Sequence, residues 1–398
     1  MTPRKSGGTV RFGIVGTGYV GRWHATTIRE SKARYVTLAA VADTFADSAR
    51  QAGEQFRVPW FDNPVKMLGS GLVDAVIVGT PHFWHPPVAI QAARAGVHVL
   101  CEKPLAATIG PARAMVDECK KHRVALGIMF QFRTRAVMRK MKEMVGSGRI
   151  GRILRISMVC SDWYRTQAYY DSGGWRGTWD GEGGGILQNQ APHHLDVFQW
   201  IGGMPKRVTA VMSTHTHKIE VENTAHVLCE YGDGQTGYFF ATTAELPGGE
   251  SFRIVGDKGT LVYEGGKLLF GRLSMPISRH VHECKEARAD FIPKPKCSWR
   301  EVKLAGPAGG GHSDVILPFA RHILRGTPMV CTGEEALNEV ELSNAAYVSA
   351  FKGRPVAIPI DADEMEQVLA GLERQRSTGR GTGQRAKALK TLRGLLAK

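Results

Sequence analysis

No apolar run in this chain approaches the length of a membrane-spanning helix. Runs such as Ala75 to Val78 are short, whereas a span needs about 20 residues. No membrane span is therefore expected. Residues 1–8 (MTPRKSGG) carry charge with no apolar stretch behind it, so no secretory leader is read there and a cytoplasmic location is expected. Paired cysteine motifs are also missing. Seven cysteines are scattered, and none forms a Cys-x-x-Cys pair; reduced, mostly packed thiols are the expectation. Cys284 and Cys297 with His280 and His282 match no common zinc spacing, so no metal site is assigned. Acidic residues are absent from Arg374 to Lys398, where eight residues are basic. Much of the net charge of +15 is thus local to a tail. A basic tail can attract polyanions or anionic surfaces, but no basic domain face accompanies it. A solubilising or disordered tail is expected, able to dock as a short amphipathic helix through Leu389, Leu392, Leu395 and Leu396, and nucleic acid is not the expected partner.

What is present is ordinary soluble composition, 43% hydrophobic and 22% charged in 398 residues, enough for two domains. Thr9 to Val15 reads as a strand and leads into Gly16-Thr17-Gly18-Tyr19-Val20-Gly21, a G-x-G-x-x-G match that opens a helix. A second strand, Val36 to Ala42, ends in Asp43. This context fits the dinucleotide fingerprint: the first glycine turns the chain, the second admits the pyrophosphate, and the third packs helix on strand. The Asp43 carboxylate suits the ribose hydroxyls of NAD and repels a 2′-phosphate. NAD is favoured, while Arg50 and other nearby basic groups leave NADP open.

Apolar strands then alternate with helices as far as Met129, which predicts a parallel, doubly wound sheet. Ligands collect at the carboxyl ends of such strands. Thr80-Pro81-His82 with His85, Glu102-Lys103-Pro104 and the segment after Met129 fall there. Lys103 is placed to donate to a substrate oxygen. Gly183-Gly184-Gly185 runs into Asn189, His193, His194 and Asp196; Asn189 and His193 would share a face if both are helical. Aromatic and charged residues between Ser161 and Glu182, including Tyr164, Arg165, Trp175 and Trp179, suit a carbohydrate.

These motifs, taken with His24 and the late stretch from His312 through Pro355, resemble the Gfo/Idh/MocA oxidoreductases over most of the chain. The resemblance implies an α/β architecture: a Rossmann domain at 10–130 after a flexible N-terminus at 1–9, then an α+β domain at 131–360 with a large, mostly antiparallel open sheet, then the basic tail at 361–398. It implies a nicotinamide cofactor held by Gly16 to Gly21, Asp43, Thr80, Pro81, His82, His85, Glu102 and Lys103. It also implies a homo-oligomer, dimer or tetramer, formed through the second-domain sheet.

Lys103 and His193 align with the family's catalytic lysine and histidine, while Asn189 stands at the position of an aspartate. Arg133 aligns near substrate, and His193, Asn189 and His194 are further substrate contacts. The expected chemistry is oxidation of a hydroxyl of a sugar, sugar derivative or cyclitol by hydride transfer to nicotinamide, with His193 as base and Lys103 on the same oxygen. Two other readings are weighed beside it. One is an enzyme that cleaves glycosides by transient C3 oxidation and elimination; the other is a non-catalytic dinucleotide-sensing regulator.

Overall fold

The computed structural model describes residues 8–374 and 383–397, so most of the N-terminal segment at 1–9 lies outside the described residues. The first sheet contains β1 (Val10–Val15), β2 (Val36–Ala42), β3 (Trp60–Phe61), β4 (Ala75–Val78), β5 (His98–Cys101) and β6 (Leu126–Ile128). Its order is β3-β2-β1-β4-β5-β6, and the pairings are parallel. Every residue of β4 and β5 is buried, because helices cover both faces and leave no polar side to alternate with. The order reverses between β1 and β4, which opens a crevice at the carboxyl ends of these strands.

The second sheet contains β7 (Ile153–Cys160), β8 (Arg207–Ser213), β9 (Thr224–Glu230), β10 (Thr236–Thr242), β11 (Glu250–Gly256), β12 (Gly259–Glu264), β13 (Lys267–Leu273), β14 (Cys297–Glu301) and β15 (Val356–Ala357). Its order is β14-β13-β12-β11-β7-β10-β9-β8-β15. The β7–β10 pair is parallel; the other pairings are antiparallel. Burial alternates along β8 to β11, as a sheet with one covered face requires. Helices Pro192–Gly202 and Gly333–Lys352 cover that face. The latter starts with a full capping box between Thr332 and Glu335, which satisfies two otherwise orphaned backbone donors.

Two expectations need correction. The folded part does not end near Asp361, and the described part of the basic segment is not a loose tail. Helix Ala362–Arg374 buries Met365 and Leu369, and helix Gln384–Leu396 buries Ala388 and Leu392. The second helix packs on His82–Trp84, His85–Arg94 and Trp179–Glu182. The Asp180 carboxylate accepts from the backbone N–H groups of Gln384 and Arg385 at 3.2 and 3.3 Å, an anion at a helix N-terminus. Trp84 Nε1 donates to Gln384 Oε1 at 2.6 Å. The Arg385 guanidinium is consumed by Glu366 and Glu373. Spread along a helix, the basic residues leave one apolar edge free to dock.

The span 131–360 is also not a body apart from the Rossmann domain. Helix Ser313–Arg325 lies on the first sheet, with Phe319 against Phe12 at 6.5 Å between ring centroids and Arg321 donating to the Tyr35 hydroxyl.

Candidate active site

The glycine-rich turn after β1 shows three different demands. Gly16 has φ +91°, and a Cβ there would lie 2.7 Å from the Gly79 carbonyl oxygen. A Cβ at Gly21 would overlap the Gly16 carbonyl, whereas one at Gly18 would meet nothing. The outer glycines are therefore fixed by protein packing, and the middle one presents bare backbone to open space, which is the fit a pyrophosphate needs. Asp43 closes the turn: Oδ2 accepts from Thr17 N at 2.7 Å and Thr17 Oγ1 at 2.9 Å. Tyr19 and Val20 are exposed at the start of the helix.

The loops after β4 and β5 are tied together by His85. Its ring nitrogens lie 2.8 Å from the Thr80 and Pro104 carbonyl oxygens, so its expected cofactor contact is corrected: the imidazole is spent on holding Thr80-Pro81 against the Lys103 loop. His82 is buried, and its Nδ1 donates to the Glu182 carbonyl at 3.0 Å. Glu102 accepts from His24 Nε2 at 2.7 Å. Burial pushes its carboxyl up, but the His24 hydrogen bond and nearby positive charge outweigh this and hold it at about 2. His312 lies edge-on to His24, ring centroids 4.9 Å apart.

Lys103 reaches across the crevice. Its Nζ donates to the Asn189 main-chain carbonyl at 2.6 Å. Burial lowers its pKa, opposed first by Glu102 and then by Glu182. His193 is buried, stacked on Phe132 at 4.8 Å and edge-on to Phe130. Burial first, and then Lys103, push its pKa well below the usual value, so the ring is neutral at pH 7. Neutral imidazole is the form that accepts a proton.

Asn189 and His193 do not share a helix face. The helix starts at Pro192, because proline has no N–H for a preceding turn and belongs in the first turn of a helix. Asn189 sits before it in a turn, with its N–H on the Gly185 carbonyl at 2.9 Å. Nor do the three glycines serve close approach of a ligand. A Cβ at Gly184 would collide with the Tyr347 hydroxyl and one at Gly185 with the Glu222 carbonyl; Gly183 has φ +79°. Gly185 N donates to Glu222 Oε2 at 2.9 Å and to Tyr347 Oη at 3.1 Å. The segment is glycine-rich because the polypeptide itself is threaded through a tight gap.

The candidate substrate residues divide. Arg133 is 3% exposed and forms a two-bond pair with Asp196, Nε and Nη2 each at 2.8 Å, plus a contact to Glu335. It is a buried ion pair, and the substrate role expected for it is withdrawn. Trp179 is buried edge-on to Tyr347 and Phe351 and belongs to the core. His194 is 1% exposed, 3.6 Å from Glu250, and held at about 4 by burial; it clusters with Asp162 and Glu250. Tyr164 is exposed and gives its carbonyl to Arg165. Arg165 and Trp175 stand in an alternating stack with Trp163, Tyr169 and Arg176. Arg165 lies over Trp163 and Tyr169, and Arg176 over Tyr169 and Trp175, at 4.6–5.2 Å.

Sequence reasoning underweighted Tyr169, Arg176 and Glu182. The Tyr169 hydroxyl accepts from Arg176 Nη1 at 2.6 Å, Gln190 Nε2 at 3.2 Å and Asn189 Nδ2 at 3.4 Å. Glu182 is 1% exposed and accepts from Asn189 Nδ2 and, at 2.7 Å, from Gly177 N. The only sequence signal for it was an acid beside a glycine run.

A parallel sheet with a glycine-rich turn at its switch point and a lysine after β5, met across the crevice by the glycine-rich segment and histidine of a second domain, defines a two-domain nicotinamide-dependent oxidoreductase. Residues 10–130 match the oxidoreductase family profile described as an NAD-binding Rossmann fold, and residues 138–262 match the GFO/IDH/MocA C-terminal domain. The chain belongs to the Gfo/Idh/MocA oxidoreductase family, and NAD is the cofactor of its first domain. It is 26% identical to an uncharacterized oxidoreductase of Streptococcus pneumoniae serotype 4, over 88% of this chain and 98% of that one. It is 28% identical to inositol 2-dehydrogenase 2 of Saccharopolyspora erythraea, over 77% and 87%. Among solved structures it resembles the WlbA dehydrogenase of Bordetella pertussis in complex with NADH and UDP-GlcNAcA, with TM-score 0.74 and 28% identity, over 89% of this chain and 100% of that one. No helix among the described residues is long and apolar enough to cross a membrane.

Proposed function

We propose that the protein oxidises a secondary hydroxyl of a sugar, sugar derivative or cyclitol, with His193 as the base. The reading is carried by the contact of Lys103 with the Asn189 carbonyl, which brings the end of β5 and the glycine-rich segment to one point, with a neutral His193 in electrostatic reach. The bound cofactor supplies a hydride acceptor at nicotinamide C4. Lys103 donates a hydrogen bond to the substrate oxygen and stabilises its developing negative charge. His193 takes the hydroxyl proton; it carries no charge beforehand because burial and Lys103 both disfavour imidazolium. The stacked rings of Trp163, Tyr169 and Trp175 offer faces for sugar C–H surfaces, and the edges of Arg165 and Arg176 offer donors for hydroxyl or anionic groups. The named dehydrogenases among the relatives act on compounds of this kind.

The sheet is also proposed as a homo-oligomer interface. Its uncovered face exposes Val211, Leu228 and Trp299, apolar groups that a monomer gains nothing by leaving wet. Light scattering with Leu228→Glu tests this, a drop to monomer being expected.

The function is tested with purified protein, NAD and NADP against a panel of sugars, cyclitols and glycosides, following reduced cofactor and aglycone together. NADH production from a free sugar or cyclitol supports the reading. Aglycone release without NADH replaces it with glycoside cleavage. Tight dinucleotide binding without turnover on any compound points to a sensor.

A further inference from the structure

Asn189 brings an amide where the family resemblance leads one to expect a carboxylate, yet a carboxylate is present. It arrives from another element. Glu182 ends the short helix Trp179–Glu182, seven residues before Asn189, and its Oε1 meets Asn189 Nδ2. The backbone carbonyl of the same Asn189 accepts from Lys103 Nζ at 2.6 Å. One asparagine therefore joins the ammonium of the first domain to the acid of the second, with its main chain on one and its side chain on the other.

We propose that Glu182 is the positioning residue that sets the charge of the catalytic face, acting through Asn189 to hold Lys103 as an ammonium aimed at the substrate oxygen. The proposal rests on the dehydrogenase reading given above, and its first test is independent of turnover.

The surroundings of Glu182 fit this role. Gly177 N donates to Oε2 at 2.7 Å, and Arg176 Nη1 lies 4.0 Å away. From the first domain Lys103 faces it, and the His82 ring holds its carbonyl. From the second domain, the Tyr170 and Tyr347 hydroxyls and the Glu222 carboxyl stand behind it. From the C-terminal helix, Arg385 is turned to Glu366 and Glu373 instead. Burial raises the Glu182 carboxyl to about 7, restrained by Gly177, Arg176, Asn189 and Lys103. It therefore ionises as pH rises through neutrality, and once ionised it favours the charged form of Lys103. A buried carboxyl tuned to the working range beside a catalytic lysine is a common mark of a functional site.

The test is competitive labelling of Lys103 by acetic anhydride between pH 6 and 10, read by mass spectrometry in substrate-free protein. Only the free amine reacts. Glu182→Gln should move the Lys103 midpoint down by about one unit, giving up to about tenfold faster labelling at pH 8. Asn189→Ala sits at a part-exposed site and keeps the Gly177 contact, so it stays informative if Glu182→Gln folds poorly. Loss of the amide leaves Glu182 harder to ionise, and a smaller shift in the same direction is expected. The double variant should shift no further than Glu182→Gln alone. An unmoved Lys103 midpoint in both single variants overturns the proposal. With a substrate in hand, Glu182→Gln should lower kcat 10- to 100-fold and remove the pH dependence near 7, with KM for NAD within twofold. Unchanged kcat and pH profile would also overturn it. Wild-type protein inactive on every compound would instead remove the dehydrogenase reading, while the lysine titration still decides on Glu182.

Discussion

Lys103 Nζ and the Asn189 carbonyl oxygen are 2.6 Å apart, and this contact is made to main chain. The lysine keeps its anchor whatever side chain stands at 189. Lys103→Ala should therefore lower kcat by about 10²–10⁴-fold, the usual contribution of a positioned proton-transfer or oxyanion-stabilising group. NADH affinity, measured by fluorescence titration, should change less than threefold, because the glycine turn and Asp43 are untouched.

His193 should show itself through pH. Burial and Lys103 depress its pKa, so its basic form persists as pH falls through 6.5. The acid limb of kcat/KM due to this group is expected well below 6.5, and any limb near 7 belongs to another group. His193→Ala should cost about 10²–10⁴-fold in kcat. A wild-type limb at 6.5 that vanishes in His193→Ala would show an exposed, ordinary imidazole instead.

Arg133 and Asp196 offer a stability test. Both are buried and paired. Removing one partner strands the other charge, so Arg133→Met should destabilise by about 3–5 kcal/mol, read from denaturant midpoints. An Arg133→Met protein of native stability with a raised KM for sugar would restore Arg133 to the substrate site.

His98 gives a pH-dependent term away from the chemistry. Burial holds it at about 4, and its Nδ1 accepts from Ala125 N at 2.9 Å, a bond lost on protonation. The unfolded chain binds this proton below about 6.5 while the native chain resists it down to about 4. Stability from this group is full above 6.5 and is lost as pH falls to 4. The loss should reach at most about 3 kcal/mol. His98→Asn should flatten this part of the pH–stability curve measured by urea unfolding.

Leu392 tests the docked C-terminal helix. It is 6% exposed, and Leu392→Asp should cost at least about 2 kcal/mol. Hydrogen exchange should rise in His82–Trp84 and Trp179–Glu182, the segments this helix covers. Exchange confined to the helix itself would mean that these segments hold without it.

The Rossmann half was legible because its cause is local. A strand, a glycine turn, a helix and Asp43 follow one another in the chain, and the strands are mostly apolar. β14 and β15 are hard to read from sequence for the opposite reason. Every residue of β14 is exposed at a sheet edge, and β15 has two residues, so neither writes an alternating pattern. Lys103, Asn189 and His193 were marked by motif, but Glu182 was not, because its partner is fixed by the tight threading of 183–185 between Tyr347 and Glu222. Arg133 and Trp179 were misjudged on type alone: an arginine or tryptophan near a site reads the same in sequence whether it faces solvent or the core. The basic segment looked like a tail because its charge was counted without the carboxylates of Glu366, Glu373 and Asp180 that receive its helix.

The seat of Phe319 on Phe12 bears on how this architecture can be cut and recombined. The first hundred and thirty residues look like a transferable cassette, yet one side of β1 is roofed by a helix encoded about three hundred residues later. A graft that moves the nucleotide-binding half to another partner must carry Ser313–Arg325 with it, or leave an apolar wall bare to water. Separated at the apparent domain seam, each half would expose apolar surface that the other buries.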